Sequence, residues 1–234
     1  MWTREMLKSN AKQVLRRNYL IPFVVCILAV ILTGDFKIGN FYGTIVFPFS
    51  QDSVSEFMMG MLPLSVPFYV GVFGFSILIA FATIVLRIFI LNPLEVGKAR
   101  FFVNNIEQEE EVGTLFSFFS DPNYMNIVKI LLIRDIKIFL WTLCLLIPGI
   151  YKSYEYYMVA YILAEDSSLT TQEVFDRTKV MTDNQKLDIF VLNLSFILWY
   201  MACGLTFGIG NLFLNPYISA TDAELYYVLK NTAA

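Results

Sequence analysis

The sequence predicts an all-α fold: a polytopic bundle of about six transmembrane helices, flanked by amphipathic interfacial helices. Three observations predict it. Of 234 residues, 57% are hydrophobic and 16% charged, against roughly 45–50% apolar and about 25% charged in soluble domains. The charges are unevenly spread and leave apolar runs of bilayer-spanning length. Five cations precede Tyr19 against one acid, Glu5, immediately before the first apolar run, an asymmetry that holds an amino terminus in the cytoplasm. Residues 1–234 read as one integral membrane domain.

The first element is a basic amphipathic helix over residues 3–18. Arg4, Lys8, Lys12 and Arg16 recur every fourth residue, Arg17 follows, and Leu7, Ala11, Val14 and Leu15 fall opposite. That pattern suits a helix lying on the anionic inner leaflet with its apolar face down. The plainer reading is that these cations only fix the terminus inside. The first span covers about 19–33, is short, and should bend at Pro22. No A-x-A cleavage pattern follows it, so a retained span is expected. Residues 35–62 are aromatic-rich with Lys37 as the single cation, which fits an outer interfacial loop.

The second span, about 64–91, exceeds the roughly 20 residues required and should tilt or protrude. Arg87 lies near its inner end. After Asn92-Pro93 comes a stretch expected in the cytoplasm, with acids at Glu107, Glu109, Glu110 and Glu111. No oxygen-ligand loop surrounds them, so a solvated turn is the better reading. Spans at about 124–147 and 150–164 form a hairpin about Pro148-Gly149. Thr170 and Glu173 have capping-box spacing and open a second interfacial helix. A fifth span (about 189–205) and a weaker sixth (about 211–229, interrupted by Pro216) complete the bundle and leave both termini in the cytoplasm.

Histidine is absent, and Cys26, Cys144 and Cys203 are isolated in apolar runs. No zinc or iron–sulfur spacing exists, so no metal and no cofactor is expected. There is no nucleophile elbow or phosphate loop, and Ser195 has no His to activate it. No catalytic residue is assigned and an enzyme is not expected. The basic cluster is too small and local for nucleic acid. The expected partners are membrane lipids of the anionic inner leaflet, touched by Arg4, Lys8, Lys12, Arg16 and Arg17, and a membrane-protein partner.

The candidate site lies in "ILLIRDIKIFLW", residues 130–141, where Arg134, Asp135 and Lys137 interrupt an apolar span. Each charge at mid-membrane costs about 2.5–3.5 kcal/mol on insertion scales. Arg134 and Lys137 share a helical face and can snorkel. Asp135, turned among Leu131, Leu132, Ile138 and Phe139, is too short to reach water and needs a partner. Arg87 is the first candidate and Lys152 the second. One reading is an inter-span ion pair holding two helices in register. The other is a polar, cytoplasm-facing cavity for an anionic headgroup or solute. The tyrosines at 151, 154, 156, 157 and 161 are expected to form an outer aromatic belt.

From residue 147 onward, "IPGIYKSYEYYMVAYILAED", "KVM", "FVLNLSFILW" and "NPYISATDAELYYVL" resemble the domain of unknown function 975 family of small bacterial integral membrane proteins. Thr178 stands where that family tends to have serine, and Asp183 where glycine is usual before the fifth span. The resemblance implies the bacterial plasma membrane and a six-span architecture, and brings no activity with it. The expected function is therefore a non-catalytic accessory, scaffold or membrane-sensing module. The alternative is a transporter or translocation protein with its polar site at Arg134, Asp135 and Lys137.

Overall fold

A computed structural model describes residues 2–33, 66–205 and 209–233, and among these every regular element is helical. The expected outer loop, 35–62, lies outside the described residues. Helix α1 (Arg4–Arg17) starts where the Thr3 hydroxyl accepts the Met6 N–H at 3.2 Å. Its apolar face, Leu7, Ala11, Val14 and Leu15, is buried. The chain breaks at Asn18 and turns through 103° into α2 (Leu20–Thr33). Pro22 is the third residue of α2, in a first turn whose N–H groups have no helical partner anyway. The bend therefore falls before the proline, where Asn18 leaves helical geometry.

Helix α3 (Val66–Leu86) is exposed and apolar on every side from Gly71 onward. It does not end at Asn92-Pro93 as expected. A π-turn over Arg87–Leu91 widens the helix, the Asn92 N–H reaches back to the Arg87 carbonyl, and α4 (Asn92–Glu107) continues it. Proline removes a donor and crowds the preceding turn, and a wider turn makes room for it. The stretch after Asn92-Pro93, expected to lie in the cytoplasm, forms a core helix, with Leu94, Val96, Phe101 and Phe102 buried. Its helical period carries these side chains inward.

A 3-10 segment, Val112–Ser120, lies across α4 with Leu115 and Phe118 fully buried. Gly97 makes this crossing possible, since a Cβ there would stand 2.0 Å from the Leu115 carbonyl oxygen. Helix α5 (Tyr124–Cys144) follows, then α6 (Leu146–Glu155). They pack as a hairpin that reverses at Leu145, with Pro148 and Gly149 inside the first turn of α6. At Gly149 a Cβ would meet Thr142 backbone at 2.7 Å, so the close crossing needs glycine.

Helices α7 (Val159–Glu165), α8 (Thr171–Thr182), α9 (Lys186–Leu194), α10 (Ile197–Leu205) and α11 (Ile209–Ala233) complete the described chain. The predicted capping box of α8 forms, Thr170 and Glu173 bonding reciprocally. Thr178 is fully buried rather than on a surface, and its hydroxyl donates to the Glu155 carbonyl at 2.9 Å, a bond serine could also make. Asp183 has φ −62° and needs no glycine, while Asn184 takes the left-handed turn at φ 54°. Helix α11 runs through Pro216 and packs against α1, α2 and α4.

Six spans are not supported. Among the described residues two helices are long and apolar enough to cross a membrane, Gly71–Glu107 and Lys186–Cys203, or three if the bent α1–α2 pair is one span. The physical reasons are local. Helix α5 carries Lys129, Arg134, Asp135 and Lys137, and its first half, with Ile127, Ile130 and Leu131, is buried in protein. Only the hairpin end is apolar and exposed, including Phe139, Leu143 and Ile147. Residues 136–144, the exposed end of α5 before the reversal, rise about 14 Å at 1.5 Å per residue, well short of a hydrocarbon core of about 30 Å.

Candidate functional site

Asn92 and Glu95 share a face at the start of α4, and α5 sets Arg134 and Asp135 against them. The Arg134 guanidinium bonds Glu95 at 2.9 Å and Asp135 at 3.0 Å, and the Asn92 amide donates to the other Asp135 oxygen at 2.7 Å. Arg134 is 7% exposed. Asp135 does need a partner, but that partner is its neighbour Arg134 together with Asn92, not Arg87. Among the described residues no ion pair joins Arg87 to Asp135, and Arg87 is exposed on the π-turn. The continuous helix carries Asn92 and Glu95, one and two turns beyond Arg87, to the level of Asp135.

Helical rows suggested that Asp135 and Arg134 face apart. The long guanidinium arm overrides that geometry by folding back. The outcome is one cation against two carboxylates, an arrangement that disfavours an added anion. Lys137 joins neither acid. Its ammonium sits 3.6 Å from the centroid of Phe175 and 5.8 Å from that of Tyr156, a cation–π seat. Lys152 bonds Glu155 at 2.7 Å.

The amino-terminal cations are largely committed to protein as well. Lys8 donates to the Ser195 hydroxyl at 2.7 Å and lies over Phe196, and Lys12 lies over Tyr217. Arg17 caps the end of α4, donating to the carbonyls of Asn105, Ile106 and Glu107, where the helix dipole favours a cation. Arg4 and Arg16 are exposed. The apolar face of α1 cannot lie in lipid headgroups, because Leu7 and Ala11 are fully covered by the protein's own core. Amphipathic spacing alone does not say which apolar phase the face will meet.

Among the described residues no group of His, Cys, Asp and Glu could hold a metal ion, and no disulfide joins the three cysteines. The acidic run behaves as a solvated turn. Glu107, Glu109 and Glu111 are exposed, and Glu110 bonds Asn104 and Thr114.

Two polar clusters escaped the sequence reading. In the first, Arg100 reaches from α4 to Asp121 (2.9 Å), Ser117 and the Ala164 carbonyl. Asp121 also accepts from the Asn123 N–H and from Ser167. Burial opposes the Asp121 charge, but these bonds outweigh it and hold the carboxyl below its ordinary range. The stability it contributes is therefore complete above the unfolded value near pH ~3.9 and lost as pH falls through the lower folded value. Melting curves across pH 3–6 should show a steep acid limb that flattens in Asp121→Asn. An unchanged limb in that variant would refute the assignment.

The second cluster gathers Tyr154, Tyr157, Tyr161, Asn193, Tyr200 and Asp222. Tyr157 shares side-chain hydrogen bonds with Asn193 and Asp222, and Tyr154 shares one with Asn193. These tyrosines are not an outer belt. Tyr156 is buried against Phe175, and Tyr151 alone of the group is more than half exposed. The signal was present in the sequence, since 154, 157 and 161 follow i, i+3, i+7 spacing.

Among the described residues, all-helical structure with two or three membrane-competent helices and an ion-pair centre around the buried Arg134 defines the class: a helical protein compatible with membrane association. Residues 142–233 match the family model described as "Protein of unknown function (DUF975)", so this part of the chain is similar to that family. No curated protein and no solved structure matches the chain.

Proposed function

We propose that this chain is a non-catalytic integral protein of the bacterial cytoplasmic membrane, an accessory or scaffold subunit with both termini in the cytoplasm. The observation that carries the reading is the segment from Gly71 to Leu91. Phe73, Phe75, Leu78 and Phe81 are each more than 60% exposed, and a helix apolar all round belongs in lipid or against another membrane helix. The ion pair supports a structural module, because Arg134 is spent on Glu95 and Asp135. Translocation built on Arg134, Asp135 and Lys137 is less well supported, since Lys137 turns away to Phe175.

The test is a mild-detergent pull-down of tagged protein from native membranes, wild type beside Asp135→Asn, with proteins and lipids identified by mass spectrometry. A near-stoichiometric membrane-protein partner is expected. Enrichment of one anionic lipid or solute by wild type alone, with no protein partner, would overturn the reading in favour of binding or translocation.

A further inference from the structure

The segment before α1 folds onto the start of α9, where the Trp2 indole N–H donates to the Gln185 amide oxygen at 2.9 Å. Beside this clasp, between the first turns of the two helices, lies a cleft of about 320 Å³. It is lined by Trp2, Thr3, Arg4, Gln185, Asp188 and Val191. That volume is at the low end of the roughly 300–1,000 Å³ of small-ligand sites, and suits a compact ligand.

The cleft has two chemical halves. The first is a set of donors: the Arg4 guanidinium, the Thr3 hydroxyl and the NH2 of Gln185, whose amide oxygen is taken by Trp2. Helices α1 and α9 both begin here, and helix N-termini favour anions. The second half is the Asp188 carboxylate with the Trp2 ring, an acceptor and a cation–π face. Lys186, next along, is turned over Tyr151 instead. Among the described residues neither the Arg4 nor the Asp188 side chain has a hydrogen bond or an ion pair, so the two share a cleft without neutralising each other. A cation and a carboxylate held apart in this way match a ligand that carries both charges.

The surroundings add a second observation. The cleft lies at the amino-terminal end of Lys186–Cys203, one of the membrane-competent helices. Leu187, Val191, Leu194 and Leu198 follow one face of that helix at i, i+4, i+7 and i+11, and all four are exposed, Leu187 by 78% and Leu198 by 73%. An apolar stripe that starts at a charged cleft has the polarity of a phospholipid, headgroup at the cleft and acyl chain along the helix. Tryptophan at such a boundary sits at headgroup depth.

We propose that this cleft binds a zwitterion whose phosphate meets Arg4, Thr3 and the Gln185 amide, and whose ammonium, a short carbon link away, meets Asp188 and the Trp2 ring. A phosphatidylethanolamine headgroup and free phosphoethanolamine share that chemistry. The inference goes beyond the accessory reading and needs no protein partner, so either can fail alone.

Full-length protein with a carboxy-terminal tag is stripped of lipid in detergent and titrated by calorimetry with O-phosphoethanolamine, with sodium phosphate as the control. In parallel it is loaded into nanodiscs of equal phosphatidylethanolamine and phosphatidylglycerol, and the retained lipid is read by native mass spectrometry. Selective retention of phosphatidylethanolamine identifies the headgroup. Saturable O-phosphoethanolamine binding without that retention identifies the soluble zwitterion. Whichever ligand binds, Asp188→Asn should weaken it about tenfold, the scale of one charge-assisted hydrogen bond, and Arg4→Gln should do the same. Both positions are exposed, and circular dichroism checks that each variant folds. Glu111→Gln, at an exposed acid outside the cleft, should leave binding unchanged. Neither ligand exceeding its control in the wild type would overturn the proposal. So would wild-type affinity in folded Asp188→Asn or Arg4→Gln, or an equal loss in Glu111→Gln.

Discussion

Gly97→Ala should lower stability by about 3 kcal/mol, the top of the usual range for overpacking, and Gly97→Val should leave little folded protein. The added Cβ would lie 2.0 Å from a backbone oxygen, that of Leu115, and 2.9 Å from the Phe118 ring. A side chain can rotate away from such a contact. A carbonyl within a hydrogen-bonded 3-10 segment cannot, and Phe118 is fully buried with nowhere to go. Gly71 is the internal control. Nothing lies within 4 Å of a Cβ there, so Gly71→Ala should be neutral or stabilise by up to about 1 kcal/mol through helix propensity. Thermal melts by circular dichroism in one detergent would compare the two. Equal melting temperatures for Gly97→Ala and wild type would refute the close crossing.

Arg134→Met should cost about 3 kcal/mol. Removing one member of a buried ion pair strands the other charges, and such losses run to about 3–5 kcal/mol. The lower figure applies because the stranded Glu95 and Asp135 side chains are 45% and 35% exposed, and water can take up part of their charge. The double variant Glu95→Gln with Arg134→Met should recover a good part of that loss, because it removes one of the two stranded acids. If the losses simply add, the three groups do not act as one unit. Asp135→Asn alone should cost much less, since Arg134 keeps Glu95 and Asn92 can still pair with an amide.

Much of the local structure was legible. The four-residue spacing of α1, the capping box at Thr170 and the all-round apolar run of α3 are properties of short windows, and short windows are what a sequence displays. The need of Asp135 for a partner was legible too, because a short carboxylate within an apolar run reaches little water by itself. Its partner was not. Choosing Arg134 over Arg87 depends on how far a helix continues past Pro93, which the π-turn decides and residue type does not. The destination of α1's apolar face was illegible for a related reason. Leu7 and Ala11 look the same whether they meet lipid or α11. The span count failed where apolar composition meant protein core: Ile127, Ile130, Leu163 and Leu225 belong to one buried cluster, and hydropathy does not distinguish that interior from a bilayer.

The helix from Gly71 to Glu107 runs 37 residues without interruption, about 55 Å at 1.5 Å per residue. It is a lever. Its free arm is bare, while its other arm bears the Gly97 crossing, the grip of Arg17 on its last carbonyls and the Glu95 link to Arg134. A swing of about 5° pivoted at one end displaces the other by about 5 Å over that length. Whatever takes hold of the bare arm therefore acts mechanically on the ion pair and on the packing at Gly97, with no second element needed to carry the signal.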